Sequence, residues 1–148
     1  MAKHLYLIRH GNAPFQWNDF ERQLDAQGKN EATLTGQFFA KNDIKIDHIF
    51  SSDAPRAVST ADLIAEQIAF PKESITVSNE IYETTAQNLL NFICFNAREE
   101  FESVIMINHN PTISHLANLL LQEDRVFMKT CQIAHIKFEV DTWLEISI

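Results

Sequence analysis

The 148-residue chain is 45% hydrophobic, a composition that suits one domain burying ~70% of the surface its unfolded form exposes and leaves no room for a second. Twenty acidic side chains against twelve basic ones give a formal charge of -8, which argues against non-specific binding to nucleic acid or to an anionic membrane. No apolar run approaches the ~20 residues of a membrane span, and the run at residues 5–8 is halted at once by Arg9 and His10, so the expected location is cytoplasmic.

Residues 3–8 form a nearly continuous apolar run ending in Arg9-His10-Gly11, as expected of a parallel strand covered on both faces. Asp25 is a cap for a helix running to about Lys41, with Ala32, Thr35, Gly36 and Phe39 as its inward stripe. Residues 46–51 read as a second strand, and Asp53 and Pro55 then supply the chemistry of a helix start. Ala57, Thr60, Ala61 and Ile64 continue that helix to near Ala69. A weak strand at residues 75–77 precedes a helix over residues 86–98 capped by Thr85. Residues 104–107 form a further strand, after which Asn110 as cap and Pro111 at the first helical position open a helix carrying Ile113, Leu116, Ala117 and Leu120. Residues 132–138 and 143–148 read as a terminal hairpin joined by Val140-Asp141-Thr142. Strands alternating with helices predict a single three-layer α/β domain, with a mainly parallel sheet, an antiparallel edge strand and helices on both faces.

The three glycines, Gly11, Gly28 and Gly36, assemble neither a dinucleotide fingerprint nor a P-loop. Cys94 and Cys131 are too widely spaced for a metal motif and read as small buried apolar residues. His4, His48, His115 and His135 lack the spacing of a helical metal site, so no metal or other cofactor is expected.

Chemistry concentrates where strands end. Arg9-His10-Gly11 follows one apolar strand and Asn108-His109-Asn110 another, while Arg56 falls on the first turn of the helix after a third. In an open α/β sheet these positions share the carboxyl-end rim, where ligands bind if the two histidine-bearing strands are neighbours whose helices leave to opposite faces. An arginine at a helix start opposes the macrodipole, which an anionic ligand would offset. Two histidines with two or three arginines suit a phosphoryl group: arginine forks hold its oxygens, and a neutral imidazole can attack phosphorus to form a phosphohistidine. Gly11 fits a position where bulk would block the approach of backbone or ligand.

Arg9-His10-Gly11, then Ser51-Ser52-x-x-x-Arg56-Ala57-x-x-Thr60-Ala61, then Asn108-His109-Asn110-Pro111, resemble in content and order the histidine phosphatase (phosphoglycerate-mutase-like) superfamily. Asp19-Phe20-x-Arg22-x-Leu24-x-x-x-Gly28 and the short chain are similar to its SixA-type phosphohistidine phosphatase branch, with Gln23 and Asp25 standing where that branch has proline and Thr or Asn. The resemblance implies a phosphoglycerate-mutase-like fold in which His10 accepts the phosphoryl group. Arg9, Arg56 and His109 would hold its oxygens, with Arg22 and Asn12 as further contacts. Larger members protonate the leaving group with a carboxylic acid in the region of Glu80 and Glu83. A phosphohistidine substrate needs less such help, because its imidazole departs readily once protonated.

The expectation is a metal-independent phosphatase acting through a covalent phosphohistidine on a phosphorylated protein. Small-molecule members close the site with an inserted segment, whereas here only residues 12–25 and 75–85 are free to form walls. The alternatives are a small-molecule phosphomonoesterase of the same superfamily and a module that binds phosphate without hydrolysing it.

Overall fold

The computed structural model describes residues Met1–Ile148. Its strands are β1 (Lys3–Arg9), β2 (His48–Ser52), β3 (Thr76–Ser78), β4 (Ser103–Asn108) and β5 (Ile133–Phe138), and its helices are α1 (Ala26–Lys41), α2 (Pro55–Gln67), α3 (Ala86–Asn96) and α4 (Thr112–Leu121). The strands form one sheet in the order β3-β2-β4-β1-β5, parallel except for β5, which runs antiparallel to β1 along one edge.

Period-two alternation between two covered faces explains why the central strands β1 and β4 are apolar over most of their length. Leu5 and Leu7 of β1, with Val104 and Met106 of β4, face a core layer built from α3, α4 and the chain's last turn. Tyr6 and Ile8, with Ile105 and Ile107, face the opposite layer, built from α1 and α2. The helix after β1 and the helix after β4 therefore cover opposite faces, and the two strands are neighbours in register, with Arg9 beside Asn108. That is the topological switch point expected from the sequence. Ser51 pairs with Ile107, so the end of β2 reaches the same rim.

Local chemistry sets the helix starts. The Asp25 side chain accepts the Gly28 N–H at 2.8 Å and Thr85 accepts the Asn88 N–H at 3.1 Å, both as expected. The α2 start differs: Ala54 is the cap, no side chain caps it, and a carboxylate oxygen of Asp53 is buried without a partner. The start of α4 also differs. Asn110 does not cap it; the helix opens one residue later with Pro111 in the cap position. Asn110 is drawn elsewhere, its amide donating to Met128 O at 2.9 Å and its carbonyl accepting from Ser114 Oγ.

The expected terminal hairpin does not form. Only β5 is a strand, and residues Trp143–Glu145 make a 3-10 turn. Trp143 and Ile146 are buried while Leu144 and Glu145 are exposed, a spacing of three that matches a turn rather than a strand. Trp143 is fully buried, and its indole N–H donates to Phe101 O at 2.9 Å, so the tail plugs the α3/α4 layer. No helix is long and apolar enough to cross a membrane.

Candidate active site

Two glycines bring the β1–α1 loop against its own helix. A Cβ on Gly11 would stand 2.7 Å from the Gly28 carbonyl oxygen, and one on Gly28 would meet the Asn12 backbone, so neither position tolerates a side chain without movement. The loop is pinned further by Asn12, whose amide donates to Asp25 Oδ2 at 2.7 Å and whose N–H donates to Glu31 at 2.9 Å. On the other side Cys131 has a left-handed backbone, φ 57°, and its N–H donates to the Arg9 and His10 carbonyls. Both cysteines are free and buried, as the sequence suggested.

This scaffold fixes the His10 ring. Its Nδ1 lies 2.7 Å from the Gly11 carbonyl, which can only accept, so Nδ1 carries the proton and Nε2 the lone pair. Nε2 faces Arg56, whose Nε–H donates to it at 3.3 Å. Burial, with the charges of Arg56, Arg9 and Arg22 assisting, pushes the His10 pKa down to about 4. Burial contributes more to keeping this ring neutral than the arginines do. His109 stands with its ring centroid 5.1 Å from that of His10, and burial, then His10 and Arg56, lower its pKa to about 3. Both rings are neutral at pH 7.

A pocket of about 380 Å³ opens over these rings and is also lined by Arg9, Arg22, Arg56 and Asn110. Arg9 donates to Met128 O at 3.1 Å and keeps a buried, unpartnered Nε–H. The Arg56 guanidinium is almost wholly buried and donates to the Asp19 carbonyl at 2.8 Å and to Asp19 Oδ2 at 3.1 Å. Arg22 donates to Ala13 O at 2.6 Å and to Asp19 Oδ1 at 3.0 Å.

Asp19 thus joins two arginines, and it also accepts the Tyr82 hydroxyl at 2.6 Å. That hydroxyl, then Arg22 and Arg56, hold its pKa down at about 2 despite its exposure. Neither Asp19 nor Tyr82 was assigned a role from sequence. A carboxylate three residues before Arg22 was the only local signal for the first, and nothing marked the second.

The other predicted residues divide. Glu83 lines the pocket, whereas Glu80 lines a separate groove beside α3. Asn12 does not line the pocket, because its amide is committed to Asp25. Of the loop aromatics, Phe15 and Trp17 are exposed, Trp17 at 96%, while Phe20 packs edge-on to Tyr82 with centroids 5.0 Å apart. No group of three or more His, Cys, Asp or Glu side chains gathers where it could hold a metal ion.

The family model for the histidine phosphatase superfamily (branch 1) matches residues 5–92, and the chain belongs to that superfamily. The match ends before Asn108-His109, so the second histidine's place on the rim comes from the sheet register. Among curated relatives, the mitochondrial serine/threonine-protein phosphatase Pgam5 of Drosophila yakuba is 36% identical over 75 residues, which cover 50% of this chain and 26% of that protein. The chain thus spans about a quarter of the length of the curated relatives it matches.

Among solved structures, the protein histidine phosphatase SixA complexed with tungstate has a TM-score of 0.80 at 23% identity, covering 89% of this chain and 86% of that one. The SixA protein of Agrobacterium tumefaciens has a TM-score of 0.73 at 26% identity, over 80% and 77%. A phosphoserine phosphatase of Entamoeba histolytica, in complex with 3-phosphoglyceric acid, has a TM-score of 0.66 at 18% identity, over 90% and 89%. The fold is the phosphoglycerate-mutase-like one.

Proposed function

We propose that the protein is a phosphatase that transfers a phosphoryl group from a protein phosphohistidine to His10 and then to water. The observation that carries this reading is the His10 ring itself, neutral at pH 7, its proton tied to the Gly11 carbonyl and its Nε2 lone pair facing a pocket of arginines. In the first step Nε2 attacks phosphorus. The bond to the substrate imidazole breaks, and that imidazole leaves with a proton taken from solvent. Arg9, Arg22, Arg56 and His109 hold the three phosphoryl oxygens, over which the charge of the transition state is spread. In the second step water attacks the phosphohistidine, inorganic phosphate leaves, and His10 returns to its neutral form.

The nitrogen-linked substrate is favoured by the state of the Asp19 carboxylate. Asp19 is held ionised by its three partners and has no proton to give an alkoxide. The walls, residues 12–25 and 75–85, cover the pocket incompletely and leave Trp17 in solvent, which favours a substrate presented by a protein. With arginines supplying the positive charge, the scheme uses no metal.

Glu83 in the pocket wall supports a second reading, hydrolysis of small phosphomonoesters with Glu83 as acid. The deciding experiment incubates the protein with a phosphohistidine-bearing protein and with p-nitrophenyl phosphate, with and without chelator, and traps the enzyme at alkaline pH. Phosphate bound at His10, faster turnover of the phosphohistidine substrate and indifference to chelator are expected. Loss of activity with chelator would overturn the metal-free scheme, and a severe defect of Glu83→Gln on the ester would favour the second reading. Phosphate binding without any turnover would leave a binding module.

A further inference from the structure

Ser52 closes β2 on the same rim, and phosphate binding by the arginines gives it no task. Its hydroxyl oxygen accepts the Ala54 N–H at 3.2 Å and lies 2.6 Å from His109 Nε2. Ser52 is fully buried and these are its side chain's only partners. An amide N–H cannot accept, so the hydroxyl proton has one place to go, the Nε2 lone pair of His109. A neutral ring that accepts at Nε2 carries its proton on Nδ1. That Nδ1 is buried and has no partner in the protein. Buried donors are almost always satisfied, and one left open on the wall of an anion pocket implies an acceptor brought by the ligand.

We infer that Ser52 is a positioning residue: it locks His109 in the Nδ1–H tautomer so that the ring donates a hydrogen bond to a phosphoryl oxygen. The inference rests on the phosphoryl-transfer reading above. The opposite tautomer would leave the Ser52 proton and the Nδ1 lone pair both unpartnered, and would turn a lone pair towards an anionic oxygen. The two imidazoles are then set in complementary states by different neighbours. The Gly11 carbonyl makes His10 present a lone pair, and the Ser52 hydroxyl makes His109 present an N–H.

Nitrogen-15 NMR of the histidine side chains in the 148-residue chain, with and without orthovanadate, tests this directly. The His109 proton is expected on Nδ1, with that nitrogen's signal moving when vanadate binds. In Ser52→Ala the ring is expected to sample both tautomers. The kcat on p-nitrophenyl phosphate and the affinity for vanadate should then fall by about tenfold to a hundredfold, and Ser52→Thr should recover most of the loss. A wild-type spectrum with the proton on Nε2, or a folded Ser52→Ala with unchanged kcat and vanadate affinity, overturns the inference. Should Ser52→Ala fail to fold, the wild-type spectrum decides alone. Should the wild type hydrolyse nothing, the phosphatase reading fails, while the tautomer and its response to vanadate still decide this one.

Discussion

Two regions surround the pocket and are built on different principles. The rim consists of strand ends and a helix start: His10, Arg56 and His109 are buried, and each is held by groups that belong to the sheet or to its connections. The wall is a loop in which Asp19 and Arg22 lie in solvent contact and hold each other, Arg56 and Tyr82 through ion pairs and hydrogen bonds. The solvent-exposed Asp19–Arg22 pair contributes about 0–1 kcal/mol, so it adds little stability and acts by placing charge. On the proposed mechanism the nucleophile therefore belongs to the rim, and the wall places charge for substrate capture.

The sharpest way to break this division is at His10. His10→Ala removes the proposed nucleophile, and turnover should fall by at least about a thousandfold, with phosphoenzyme absent from alkaline-quenched samples. Residual turnover near wild type would place the chemistry elsewhere. Trp143→Ala gives the converse result. It opens a cavity beneath α3 and α4, far from the rim motifs, and should cost about 3–5 kcal/mol in denaturant unfolding, while kcat of the folded fraction is retained.

The wall is tested at Asp19. Asp19→Ala removes the carboxylate shared by Arg22, Arg56 and the Tyr82 hydroxyl, while Arg56 keeps its bond to the backbone carbonyl of residue 19 and Arg22 its bond to Ala13 O. The expected loss is about tenfold in kcat/KM, most of it in KM, since positioning charges act mainly on capture. If kcat fell as far as in His10→Ala, the wall would belong to the chemistry and the division would fail.

The same division governs what could be read from the sequence. Rim residues announce themselves because a strand end fixes position: an apolar run followed at once by Arg9-His10-Gly11 or Asn108-His109 says where the side chains lie before any contact is known. The helix stripes and the caps at Asp25 and Thr85 were legible for a similar reason, being short-range patterns. The wall was not, because Asp19 meets Tyr82 across 63 positions and nothing periodic links them. Asn110 failed as a cap on the same ground, drawn away by Ser114 and Met128. Trp143 and Ile146 suggested a strand because apolar residues near a chain end fit either a strand or a plug, and the core layer built by α3 and α4 takes them as a plug.

The smallest expected effect separates the rim histidines from ordinary ones. With the His10 pKa at about 4, only about a tenth of the rings are protonated at pH 5, whereas an unperturbed imidazole near 6.5 would be almost wholly charged. Phosphoenzyme formation, corrected for the ionisation of p-nitrophenyl phosphate, should therefore change by less than about twofold between pH 7 and pH 5. An acid limb centred near 6.5 would mean that the buried ring gains a proton readily and that burial does not set its state. Stability should behave oppositely. Both histidines titrate lower in the folded chain than in the unfolded one, so their neutral burial costs nothing above pH 6.5. Below it the unfolded chain takes up protons that the folded chain refuses, and stability declines as the pH falls towards 4 and then 3. Each such proton costs about 1.4 kcal/mol per pH unit, a slope that His109→Gln should reduce if both rings contribute. Activity held level to pH 5 while unfolding becomes easier over the same interval is the joint result required of a nucleophile kept neutral by burial.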